Sequence, residues 1–157
     1  MNWVDRRKLK RAYVHLLAQQ KPQVFLTLAT NSMISEADMK RKLKAFFAHL
    51  DAAYLGRHWH RKSKDKRVAG FYALEKVGIN THAHCFVTFH QGNKIGQKML
   101  TDEIWSKLCP SGTIDFQPIS DAKGAINYSL KEMECAIHLS NSIGDNIGFV
   151  EDFHSKQ

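Results

Sequence analysis

The strongest constraint on how this chain can fold is a pair of strand-length runs joined by one short turn. Val68 to Lys76 and Thr81 to Phe89 are rich in apolar and aromatic residues, and Val77-Gly78-Ile79-Asn80 between them carries the glycine and asparagine of a tight turn. If the strands pair across that loop, Lys76 stands opposite Thr81 and Glu75 opposite His82, and cross-strand partners share a face. Alternate residues of a strand also share a face, so His82 and His84 point together while Ala83 points away. Two imidazoles and one carboxylate then converge. Such ligands suit a divalent cation and leave positions open for substrate oxygens. The same spacing also fits an amphipathic hairpin whose polar face carries two histidines, and it does not name the metal.

Around this hairpin the chain alternates helical and extended patterns. Asp5 to Gln20 reads as a basic helix with Leu9, Tyr13, Leu16 and Leu17 at helical spacing, closed by Pro22. Val24 to Thr30 is nearly all apolar, as expected of a strand buried on both faces. Ser35, Glu36 and Asp38 start a second helix with Leu43, Phe46, Phe47, Leu50 and Tyr54 on one stripe, closed by Gly56. His90 to Lys98 reads as a polar connection that lacks the spacing of a phosphate-binding P-loop. Met99 to Leu108 reads as a short helix and Thr113 to Pro118 as a strand. Asp121 caps a last helix, Ala122 to about His138, with its apolar stripe at Ala122, Ala125, Ile126, Leu130, Met133 and Ile137. The expected fold is α+β, a central antiparallel sheet with flanking helices. Residues 1–139 form the folded domain, and the Gly-, Asn- and Ser-containing stretch 140–157 is a loose tail.

Charge narrows the class of partner. The 157 residues carry a formal net charge of +8, which favours a polyanion, because basic side chains that neutralise phosphates release counterions. The densest basic run, from Arg57 through Trp59, Arg61, Lys62, Lys64 and Lys66 to Arg67, holds an aromatic ring among cations, as a surface for single-stranded nucleic acid does. His58 and His60 within it repeat the His-x-His spacing but lack the apolar strand context of the later pair. No apolar run approaches the roughly 18 residues of a membrane span, and the N-terminal residues lack the apolar core of a signal peptide, so an intracellular protein without a membrane partner is expected. Cys85, Cys109 and Cys135 are odd in number and far apart, which suggests neither a disulfide framework nor a zinc site.

On the last helix Gly124, Tyr128 and Lys131 share a stripe off the apolar one. Together with Phe25-Leu26-Thr27-Leu28 and with Glu75 plus His82-Ala83-His84, the run Tyr128-Ser129-Leu130-Lys131 resembles, in type, order and spacing, the three motifs of the HUH-endonuclease superfamily. The closest pattern is that of the single-tyrosine rolling-circle replication initiators of plasmids, phages and single-stranded DNA viruses. The tyrosine follows the histidine motif, unlike in relaxases. No proline ends the first motif and no helicase domain follows, unlike in the viral members.

The resemblance implies a ferredoxin- or RRM-like fold, metal ligation of Mg2+ or Mn2+ by Glu75, His82 and His84, and a catalytic pair Tyr128 and Lys131. It also implies nicking and rejoining of single-stranded DNA at a replication origin through a 5′-phosphotyrosine, with helicase and polymerase supplied by the host, in a bacterial cytoplasm or a eukaryotic nucleus. Two alternatives are a single-tyrosine HUH transposase, which usually takes its third ligand from the tyrosine helix, and a non-catalytic nucleic-acid-binding module of ferredoxin-like fold.

Overall fold

A computed structural model of the chain describes residues 2–131 and 147–154. The chain is an α+β protein, with a five-stranded antiparallel sheet and four helices among those residues. In chain order come helix α1 (Trp3–Ala18), strand β1 (Val24–Ala29), helix α2 (Glu36–Leu55), two 3-10 turns (Trp59–Arg61 and Lys64–Lys66) and the strands β2 (Ala69–Glu75) and β3 (His82–Thr88). Helix α3 (Lys94–Leu108), strand β4 (Thr113–Pro118), helix α4 (Ala122–Ser129), strand β5 (Ile147–Phe149) and a 3-10 turn (Val150–His154) complete it. The strand order is β4-β1-β3-β2-β5.

Local chemistry sets most boundaries. All four helix starts among the described residues are capped by a side chain that accepts an otherwise orphaned backbone N–H: Asn2 from Asp5, Ser35 from Asp38, Asn93 from Gly96 and Asp121 from Gly124. Gly56, at φ 88°, ends α2 in a conformation that other residues rarely adopt. The β2–β3 turn closes where the amides of Ile79 and Asn80 both donate to the Lys76 carbonyl at 3.0 Å. Lys76 and Gly78 take positive φ there, at 52° and 80°.

Two corrections follow from these details. Helix α3 begins at Lys94, within the expected connection, because Asn93 caps it by accepting from the amide of Gly96. The expected loose tail is not loose over 147–154. Its first three residues pair with β2, Phe71 against Phe149 and Ala73 against Ile147, and Val150 is fully buried. The expected domain boundary at 139/140, Cys135, and the expected α4 residues 132–138 lie outside the described residues.

The period of two in the strands divides the core into two layers. One face carries Val24, Leu26, Leu28, Tyr72, Leu74, Ala83, Cys85 and Val87, which pack beneath Met39, Leu43, Phe46, Phe47 and Leu50 of α2 and Trp105 of α3. Each such large side chain, fully buried, contributes about 1.5–3 kcal/mol. The other face carries Phe25, Phe71, Ala73 and Phe86, covered by Leu9, Tyr13, Val14 and Leu17 of α1 and by Ile126 and Leu130 at α4. Leu16 was expected in the α1 stripe but is exposed. Strand β1 is also less enclosed than expected, since Phe25 and Thr27 are only half-buried. They open onto the site. Among the described residues no helix is long and apolar enough to cross a membrane.

Candidate active site

The hairpin register places Glu75 opposite His82 and Ala73 opposite His84, and β1 pairs Thr27 with His84. Glu75, His82, His84 and Thr27 therefore rise from one face at one end of the sheet. Glu75 and His84 are each 5% exposed, and His82 is half-buried. The Nε2 of His84 lies 2.5 Å from Oε2 of Glu75 and donates to it. Its Nδ1 accepts, at 3.4 Å, from the Thr27 hydroxyl, while the Phe25 ring lies tilted at 5.6 Å from the imidazole. The Nδ1 of His82 is 2.5 Å from the carbonyl of Asn80, which can only accept. That nitrogen holds the ring proton and leaves the Nε2 lone pair free of it.

The tyrosine half of the site arrives from α4. Tyr128 is 61% exposed, off the apolar stripe, as its helical phase predicts. Lys131 follows the C-cap residue Leu130, which is anchored in the core at 1% exposure. Its Nζ sits 2.8 Å from Oε1 of Glu75, 3.4 Å from the hydroxyl of Tyr128 and 4.4 Å from the centre of that ring. Gly124, on the stripe with Tyr128 and Lys131, serves the start of its own helix. A Cβ there would come within 2.3 Å of the Asp121 carboxylate, so the glycine makes room for the helix cap.

Burial pushes the Glu75 carboxyl up in pKa, but the Lys131 and His84 hydrogen bonds outweigh it and hold the group below its ordinary value. Burial dominates at His84 and holds the imidazole below its ordinary value despite Glu75, so it is neutral at pH 7. Lys131 is raised, first by Glu75.

An ionised carboxylate, a neutral buried imidazole and a second imidazole with an available lone pair fit a divalent cation by donor chemistry. As placed, however, no three His, Cys, Asp or Glu side chains among the described residues form a cluster able to hold a metal. The reasons are visible in the contacts: His82 leans onto Asn80, and both Glu75 oxygens are occupied, by His84 and Lys131.

The basic run lies elsewhere. It precedes Ala69, whereas Glu75 ends the same strand, so about 20 Å of β2 separates them at 3.3 Å per residue. Arg61, Lys62, Lys64 and Lys66 are exposed, as is Arg57, whose Nε donates to Nε2 of His58 at 3.1 Å. Arg67 is buried; its guanidinium donates to the carbonyls of His60, at 2.5 Å, and Lys62, at 3.0 Å, and lies 5.5 Å from the centre of the half-buried Trp59 ring. Arg67 therefore holds the loop together rather than facing a partner.

Two contributors escaped the sequence reading of the site: the Thr27 hydroxyl and the Asn80 carbonyl. The period of two carries a signal for Thr27, since it shares a face with Phe25; a backbone carbonyl leaves none. No family model matches this chain, and neither do any curated protein or any solved structure.

Proposed function

We propose that this chain is a metal-dependent nickase and strand transferase for single-stranded DNA, of the HUH-endonuclease kind, that works through Tyr128. One observation carries the reading. Lys131 touches both the Glu75 carboxylate and the Tyr128 hydroxyl, so a nucleophile-bearing helix and a Glu-His-His strand pair, more than forty residues apart in the chain, meet at one place.

The chemistry then runs through named atoms. Glu75, His82 and His84 would hold a magnesium or manganese ion, whose charge offsets that developing on the phosphate oxygens. The Tyr128 oxygen attacks phosphorus in line, the bond from phosphorus to the 3′ oxygen breaks, and that oxygen leaves as a 3′-hydroxyl after taking up a proton. The phenol proton is released to the solvent around this exposed side chain. Lys131 holds its charge beside the forming phosphotyrosine and steadies the phosphate. Attack by a 3′-hydroxyl on the same linkage reverses the sequence and rejoins a strand without ATP. The order of motifs and the single tyrosine support the replication-initiator branch, with an origin strand as substrate and helicase and polymerase as separate proteins.

The test is denaturing electrophoresis after incubation with manganese and single-stranded oligonucleotides labelled at either end. Wild type should retain only the fragment on the 3′ side of the nick, in a band absent with EDTA and absent from Tyr128→Phe. Capture that persists in Tyr128→Phe removes the tyrosine from the mechanism. Binding without capture on any sequence returns the chain to the class of binding modules.

A further inference from the structure

Helix α1 takes no part in the chemistry above, yet it packs in one core cluster with α4, the helix of Tyr128, and carries several cations. Its apolar side, Leu9, Tyr13 and Leu17, faces the sheet. Trp3, Arg7 and Arg11, spaced four apart, form a stripe about a third of a turn round the helix, flanked by Lys8; Trp3 and Arg11 are exposed and Arg7 is half-buried. Trp3 is 59% exposed, with the Arg7 guanidinium 4.6 Å from its ring centre. None of the ion pairs among the described residues involves Arg7, Lys8 or Arg11.

Topology brings this stripe to the active end. The chain leaves α1 and enters β1 beside the point where it leaves β4 for α4, as the hydrogen bond from the Ile119 amide to the Gln23 carbonyl shows. Helices α1 and α4 cover the same face in one core cluster, so they run antiparallel from that shared end. The 16 residues of α1 span about 24 Å at 1.5 Å each, whereas residues 122–131 span about 15 Å. On these lengths Arg11 stands about level with Tyr128, and the Trp3 end of α1 reaches beyond Lys131.

We propose that the Trp3–Arg7–Arg11 stripe of α1 is the surface that grips single-stranded DNA next to the reacting phosphate, with Trp3 stacking on a base and the two arginines on successive phosphates. An exposed indole beside uncompensated cations complements an unpaired strand, which offers both a π-face and a negative charge at each nucleotide. The proposal rests on the nickase reading for the identity of the polyanion. It moves the main strand contact away from the loop of residues 57–67, which lies at the other end of the sheet.

The experiment is fluorescence anisotropy of a short labelled single-stranded oligonucleotide across a salt series, with circular dichroism to confirm folding. Arg7→Gln/Arg11→Gln should lower the slope of log affinity against log salt by about 1.4, at roughly 0.7 per phosphate contact, while Arg7→Lys/Arg11→Lys keeps it. Trp3→Ala should weaken binding about 5- to 150-fold with the slope unchanged, and Trp3→Phe should restore most of the loss. Folded variants that match wild type in affinity and slope overturn the proposal. If such variants are still captured covalently, the nickase reading stands without this surface. If α1 variants lose binding while wild type is never captured, the surface stands and the nickase reading falls.

Discussion

Lys131 is the residue on which the two halves of the site depend, and its contacts describe a competition. Its ammonium occupies one oxygen of a buried carboxylate that a metal ion would also use. Removing that charge leaves Glu75 with His84 alone. Lys131→Gln should therefore tighten manganese binding by about fivefold, the equivalent of roughly 1 kcal/mol for a partly exposed ion pair, while slowing capture of DNA by Tyr128. Titration calorimetry reads the first effect. Weaker or unchanged manganese binding would mean that Lys131 does not hold Glu75 in solution. His84→Ala should act in the opposite direction and reduce manganese affinity. A ligand assignment for His84 does not survive an unaltered isotherm. Much of this site was legible residue by residue. Period two and one short turn are local rules, so the shared face of Glu75, His82 and His84 follows from them. The contact of Lys131 with Glu75 was not legible, because it depends on where α4 crosses the sheet.

At the scale of elements, the junction of α2, the basic loop and β2 turns on one buried acid. Asp51, in the last turns of α2, is 1% exposed and accepts from the Val68 amide at 2.8 Å, fastening the start of β2. Burial raises its pKa to about 6, against the lowering effects of that hydrogen bond and of Arg67. The sign follows by linkage. Between the ordinary value of 3.8 and about 6 the folded state binds more protons than the unfolded, so this group's contribution to stability falls as pH rises through that window. Asp51→Asn keeps an acceptor for Val68 and removes the titration. The stability of wild type relative to the variant should drop by up to about 3 kcal/mol between pH 4 and pH 7, measured by urea unfolding. A difference that is flat with pH would show that burial does not lift the Asp51 carboxyl above its ordinary value. The capped starts of α2 and α4 were readable because caps are local in sequence. The start of α3 was missed because the Gly and Asn that suggested a loop include its cap, Asn93, and a first-turn glycine, Gly96.

At the scale of the whole molecule, β5 and the turn after it decide whether the sheet has four strands or five. Composition gave no sign of them, since a strand of three residues with a central Gly148 lacks the apolar alternation that marks a strand and pairs with a segment more than seventy residues earlier. Contact supplies what composition lacks. Phe153 stacks on Tyr72 at 5.3 Å, Val150 is fully buried, and the Gly70 amide donates to Glu151 at 3.2 Å. Gly148 is needed because a Cβ there would meet the Tyr72 hydroxyl at 2.3 Å. Without these residues β2, the strand that carries Glu75, becomes an open edge, and open edges invite pairing between chains. Deleting residues 147–157 should therefore remove on the order of 5 kcal/mol, a large share of the 5–15 kcal/mol that such domains possess, and promote self-association. The milder Val150→Ala should lose roughly 2 kcal/mol and remain monomeric. Thermal unfolding with light scattering reads both. A truncated chain that melts like the full one and stays monomeric would show that β5 does not pair in solution, and Glu75 would then stand on an edge strand without harm to the fold.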